Sequence, residues 1–311
     1  MITFDHYGPA VAPVIASRVP IFAPSLKAVK ESEWEGITPW GQVKVVGRIG
    51  GIHRRLLDTM FAYAIKTRRN RNGSVDLLID PYQIRKIAGG SGVAWIKKHL
   101  RDLRDAHVSI DGDREGGSIV SDWQDSKKTV AFPVGIVSVK NGEREVEATT
   151  RTLLVVTVGA VWMRIYDCTM AVRYRPLLPT LHCMRNGAAY MLALHVITHR
   201  VYNTRLDVAL RYIRAVHDDM SDRQKRRVRA GVLAEIDALC EMGITITGGG
   251  VVVYRQHASV RFTSGQERND ADAILQGADS ILQGADTILL DSQESLRDSR
   301  DGTRLAADAL A

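Results

Sequence analysis

A chain of 311 residues that is 45% hydrophobic and 25% charged is excluded from the wholly disordered class and is long enough for two domains with separate cores. Its formal charge of +7 is unevenly spread: from Asp270 onward nine acidic residues stand against Arg297, Arg300 and Arg304, a net −6, so everything before them carries +13. Cys168, Cys183 and Cys240 are odd in number and form no C-x-x-C pair, which excludes a disulfide framework or a cysteine zinc site and reads as reduced core thiols.

From Met1 to about Trp40, Pro9, Pro13, Pro20, Pro24 and Pro39 interrupt any periodic pattern, and residues 1–45 read as an irregular or disordered arm. The stretch GIHRRLLDTMFAYAIKT then lines up Ile52, Leu56, Leu57, Met60, Phe61, Ala64 and Ile65 as one helical stripe. A strand SVDLLID follows, then a short helix PYQIRKIAG with Pro81 in its first turn. After Gly89, Gly90 and Gly92, the segment VAWIKKHLRDLRDAHVSI predicts a helix. Its buried row is Val93, Ile96, Leu100 and Leu103, and Lys97, Lys98, Arg101 and Arg104 lie outside it. Asp102 and Asp105 interleave with these bases, so surface ion pairs compete with any ligand for them. Two β-rich runs between Ser118 and Val158 flank a turn at Asn141–Gly142.

The order then recurs. A strand-like TMAVRYR leads to a helix NGAAYMLALHVITHRVY carrying Ala189, Leu192, Ala193, Val196 and Ile197, and to a short helix TRLDVALRYI. The next segment, Ser221 to Thr247, predicts one helix from an N-cap at Ser221 to a stop at Gly243. Arg223, Lys225, Arg226, Arg227 and Arg229 fill its first half. Val228, Val232, Leu233, Ile236 and Leu239 form its apolar face. A cationic first turn opposes the helix dipole, so an external anion is expected there. ITIT, the turn Gly248-Gly249-Gly250 and VVVYR, ending in Arg255, read as a returning hairpin. A basic helix followed directly by a hairpin is the layout of a winged helix, in which the helix enters the major groove.

Searching for chemistry leaves little. No G-x-x-x-x-G-K-[ST] cradle occurs. His195 and His199 have the spacing of a two-histidine metal face, but no third ligand is evident, and helix packing is the preferred account. A nicking enzyme would need a His-x-His pair to arm a tyrosine, and none is present. Tyr166, Tyr174, Tyr190, Tyr202 and Tyr212 therefore read as core or surface residues. The expectation is a protein with no catalytic residue, no metal and no cofactor. No apolar run reaches the roughly 20 residues that span a bilayer, so no membrane partner is expected, and the chain reads as cytoplasmic.

On GIHRRLLDTMFAYA, DPYQIRKIAG and VAWIKKHLRDLRDAHVSI, and again on NGAAYMLALHVITHR and RQKRRVRAGVLAEIDALCEMGITIT, the chain resembles plasmid replication initiators with two winged helices in tandem. The resemblance covers about Ile49 to Arg261. It implies an α+β fold with winged-helix domains at 46–160 and 161–263, after the arm and before an acidic, disordered tail at 264–311. It also implies binding to direct repeats of double-stranded DNA (iterons) at an origin, recruitment of host initiator or helicase-loading proteins, and a homodimeric form. Under it Arg223, Lys225, Arg226, Arg227, Arg229 and Arg255 contact DNA from the second domain, and Lys97, Lys98, Arg101 and Arg104 add a phosphate-binding face from the first. A winged-helix transcription regulator is the nearest alternative, autorepression of its own gene would make one protein both, and a nicking initiator is a more distant alternative.

Overall fold

Short-range signals set most element boundaries in the computed structural model, which describes residues 11–263 apart from 28, 31, 39–40, 111–115, 141–142 and 169–170. The acidic tail at 264–311 and the Asn141–Gly142 turn lie outside the described residues.

The N-terminal stretch departs from its expected irregularity. Strand β1 (Val11–Pro13), helix α1 (Val14–Arg18) and the hairpin of β2 (Ser32–Thr38) and β3 (Gly41–Gly47) form despite the prolines. Pro13 stands just before α1, where no helical N–H is lost. Val14, Ile15, Ala16, Val19, Ile21 and Phe22 are all buried. Packing on later elements supplies the order that local periodicity does not show.

A first series follows: α2 (Gly51–Tyr63), β4 (Lys66–Arg69), β5 (Val75–Ile79), α3 (Pro81–Ala88), α4 (Val93–Asp105), β6 (His107–Ile110), β7 (Val120–Lys140) and β8 (Glu143–Val158). Helix α3 is bounded as its sequence predicts: the Asp80 carboxylate accepts from the Tyr82 N–H at 2.9 Å, Pro81 opens the helix, and Gly89 closes it at φ +83°. Ile96, Leu100 and Leu103 of α4 are buried, but Val93, at the helix's first residue, is 42% exposed. β4, β5, β8 and β7 form an antiparallel sheet in that order, and β6 joins β3 and β2 instead. The β7–β8 ladder runs on past the end of β5 to Lys140 opposite Glu143.

A connecting stretch holds α5 (Ala160–Cys168), β9 (Ala171–Arg173), a 3-10 turn at Arg175–Leu177 and α6 (Leu178–Cys183). The second series is α7 (Gly187–Val196), β10 (Val201–Arg205), α8 (Leu206–Tyr212), α9 (Asp222–Leu233), α10 (Ile236–Glu241), β11 (Ile244–Ile246), β12 (Val251–Arg255) and β13 (Arg261–Thr263). The expected helix from Asn186 to Tyr202 stops at Val196, and Tyr202 lies in β10. His195 and His199 therefore do not share a helical face. Both are buried, with Tyr202 against both rings and Tyr212 stacked on His195. Cys183 and Cys240 are exposed rather than core thiols.

Both series run helix, strand, two helices, two strands, once β4 and β6 are set aside in the first and α10 and β13 in the second. In each the first strand pairs with the last and the middle strand lies outside it, giving β5-β8-β7 and β10-β12-β11. The described chain is thus a mixed α+β fold with several antiparallel sheets.

Buried polar contacts bind α2 to the N-terminal segment and to the connecting stretch. Arg54 of α2 donates to both Asp58 oxygens (2.8 and 3.0 Å), to the Ala16 carbonyl (2.7 Å) and to Ser17 Oγ (3.1 Å), and the Tyr174 hydroxyl donates to Asp58 (2.7 Å). Arg55 donates to the Met184 carbonyl (3.0 Å) at the C-terminal end of α6, where a cation complements the dipole. β1 and β13 flank β9 in one small sheet.

Candidate nucleic-acid interface

Helix α9 begins where its sequence says it should. Ser221 Oγ accepts the Gln224 N–H at 3.4 Å, and the Gln224 side chain accepts the Ser221 N–H at 2.8 Å, a reciprocal capping box. The helix does not continue to Gly243. It ends at Leu233, and α10 restarts at Ile236, so Leu233 is 46% exposed instead of joining the apolar face, while Val232 and Leu239 are buried. The break coincides with a contact to α7. The Glu235 carboxylate accepts the N–H groups of Arg185 (2.7 Å) and Asn186 (2.9 Å) at the start of α7, where an anion meets the positive end of the helix dipole. One turn earlier, a Cβ at Gly231 would lie 2.3 Å from Asn186 Nδ2, so α9 crosses the α7 cap at a distance only glycine permits.

This docking decides what each basic residue of α9 faces. Arg223, Arg226 and Arg227, spaced i, i+3 and i+4, lie together on an exposed face, with no hydrogen bond or ion pair among the described residues. Arg229 is paired with Asp207 of α8, and Lys225 reaches the Asp218 carbonyl at 3.4 Å. The five cations thus divide into three unpaired arginines and two side chains tied to the protein. Three guanidiniums without counter-charges repel one another, and an external anion relieves that repulsion.

The hairpin β11–β12 follows as expected, turning through Gly250 at φ +73°. Val252 and Tyr254 are buried, whereas Val253 and Arg255 belong to the exposed row, with Arg255 opposite Val201 of β10. Arg255 is therefore on the side of the sheet turned away from its buried face and at the strand end far from the turn.

In the first series the four candidates divide similarly. Lys97 pairs with Asp125 of β7 (2.9 and 3.1 Å), and Arg104 pairs with Asp105 (3.1 Å) and stacks over the Trp123 ring at 5.0 Å. These two fasten α4 to its hairpin. Lys98 and Arg101 are exposed, with no hydrogen bond or ion pair among the described residues.

Asp102 does not join the surface ion pairs expected of it. It turns toward His53 and His99, whose facing nitrogens are 3.0 Å apart, with Asp102 Oδ2 3.2 Å from His53 Nε2. The three groups converge like a metal set, but the bond network indicates otherwise. The Gly50 N–H donates to His53 Nδ1 (3.0 Å), which leaves the proton on Nε2, the atom a cation would need. The cluster works as a hydrogen-bonded clasp between α2 and α4. Burial lowers the pKa of both histidines, His99 to about 4, with the His53 imidazole adding to the effect on His99 and Lys98 to that on both.

Asp207, Glu235, Asn186 and Gly231, which aim α9, had no signal in the sequence beyond being turn or helix-end residues. Among the described residues no helix is long and apolar enough to cross a membrane. No family model matches the chain, and no curated protein matches it. Among solved structures, the crystal structure of RctB domains 2-3 overlays on 77% of this chain and 94% of that chain, with 10% sequence identity and a TM-score of 0.42. So loose an overlay carries no argument about function, which rests on the chain's own residues.

Proposed function

We propose that this chain is a non-enzymatic, sequence-specific double-stranded DNA-binding protein, built from tandem winged helices, that initiates replication at an origin. In this reading it binds repeated sites, as plasmid initiators do, and recruits host replication proteins. The observation that carries the DNA-binding part is the unpaired face of Arg223, Arg226 and Arg227 on a helix followed by a hairpin. Supporting it is the recurrence of helix, strand, two helices and hairpin around α4, with Lys98 and Arg101 unpaired. The replication role rests on the family resemblance of the sequence.

Helix α9 supplies the main contacts and α4 an auxiliary phosphate grip, because two linked modules bind through a raised effective concentration. The test is duplex binding followed by fluorescence anisotropy across a salt series. The variant R223A/R226A/R227A is expected to bind all duplexes more weakly, with the slope of log affinity against log salt shallower by about 0.9 for each phosphate that is no longer neutralised. Equal affinity and slope, in a variant with unchanged circular dichroism, would remove the assignment. Covalent nicking of supercoiled origin DNA in the presence of a divalent metal would instead favour the nicking enzyme.

A further inference from the structure

This inference rests on the DNA-binding reading above and specifies the DNA. A winged helix places one helix in one major groove, so two such helices seated in successive major grooves on one side of the duplex would cover about two turns, roughly 21 base pairs. The same length occurs in the chain's own sequence. Residues 274–280 read ILQGADS, residues 281–287 read ILQGADT, and the next seven again begin Ile-Leu. Seven codons are 21 nucleotides, and Ser280 and Thr287, where the two copies differ, are one base change apart in the genetic code.

As a peptide the repeat is a weak design. Leu275, Ala278, Leu282, Ala285 and Leu289 keep a heptad-like spacing, yet Gly277 and Gly284 each cost a helix about 1 kcal/mol, and the segment is short for a coiled coil. As duplex DNA it is well phased. At about 10.5 base pairs per turn, copies two turns apart present the same grooves on the same side of the helix.

We propose that the repeat is read as DNA. The stretch of this protein's own coding sequence that specifies residues 274–294 is a tandem binding site for the protein, one molecule per 21-base-pair copy, so the protein binds within its own gene. Sequence identity between the copies would not test this, since a recent duplication also produces it.

The decisive experiment uses the full chain and three duplexes of equal length: the natural coding stretch, a synonymously recoded version specifying the same peptide, and a scrambled control. Gel shift is expected to show stepwise complexes on the natural duplex, about a thousandfold or more tighter than on the other two. Nuclease footprinting is expected to show protection repeating every two turns. Equal affinity for all three duplexes would overturn this inference and leave the DNA-binding reading standing. Binding to none of them at low salt would overturn that reading itself.

Discussion

At Gly231 a single hydrogen in place of a methyl group decides how closely α9 approaches α7. Gly231→Ala would push a carbon into Asn186 Nδ2, on a side chain that already caps α7 by accepting the Ala189 N–H at 3.0 Å. The expected cost is about 1–3 kcal/mol of stability by urea denaturation, typical of overpacking against a fixed neighbour. Because the clash is with one side chain, combining Gly231→Ala with Asn186→Ala should cost less than the two changes summed. Full additivity would mean that the two residues do not meet. Asp58 has a different role: with Arg54 and Tyr174 it is buried, and Asp58→Ala would strand the guanidinium. A loss of about 3–5 kcal/mol is expected, large enough to read as a lowered unfolding midpoint.

At the scale of the element, α4 carries two kinds of cation in one basic stretch. K98A/R101A is expected to weaken duplex binding and leave thermal stability unchanged. K97A/R104A should instead lower stability, by no more than about 1 kcal/mol for each exposed pair, since it frees α4 from Asp125 and Trp123. If both double variants weaken DNA binding equally, α4 contacts DNA through its whole basic side. From the sequence the four are indistinguishable, because Asp125 and Trp123 arrive from a strand well beyond the reach of any local pattern. The same limit explains the rest of what was and was not legible. Local signals such as the Ser221–Gln224 box, Asp80-Pro81 and the glycines after α3 set element ends correctly. The break at Glu235 and the burial of residues 14–22 depend on α7 and on later strands, which no local period encodes. The unpaired arginines were visible as basic residues, but their division from Lys225 and Arg229 required Asp218 and Asp207.

For the whole molecule, the N-terminal stretch is part of the fold. A chain starting at residue 46, the boundary the prolines suggest, would lose β1, α1 and the Ala16 and Ser17 acceptors of Arg54. It is expected to be insoluble or to lack a cooperative unfolding transition, whereas a chain starting at residue 11 should keep one. Acid should loosen the molecule through the clasp between α2 and α4. The folded-state pKa of His99 is lowered to about 4 from an ordinary 6.5, so between these values the unfolded chain binds more protons than the folded one. The stability involved is present above about pH 6.5 and is lost as pH falls toward 4, and His53 shifts the same way. Denaturation measured across that range should show the slope, and His99→Leu should reduce it. An unchanged slope would place the acid sensitivity elsewhere, His195 being another buried imidazole whose pKa burial lowers.

The small sheet in which β1 and β13 flank β9 sets Val11 and Arg261 opposite the same residue, Arg173, from its two sides. Residues 250 positions apart in the chain are thus separated by two strand spacings, about 10 Å. On the ribosome, this sheet cannot close until nearly all of residues 11–263 have emerged. The order of the chain is also not essential to the finished molecule. A crossover linker of about a dozen residues could join residue 263 to residue 11 over β9, with new ends opened between Gly248 and Gly249 at the exposed hairpin turn, and such a circular permutant should reach the same fold while being able to complete β1–β9–β13 as soon as residue 173 has emerged, with residues 174–248 still to be made.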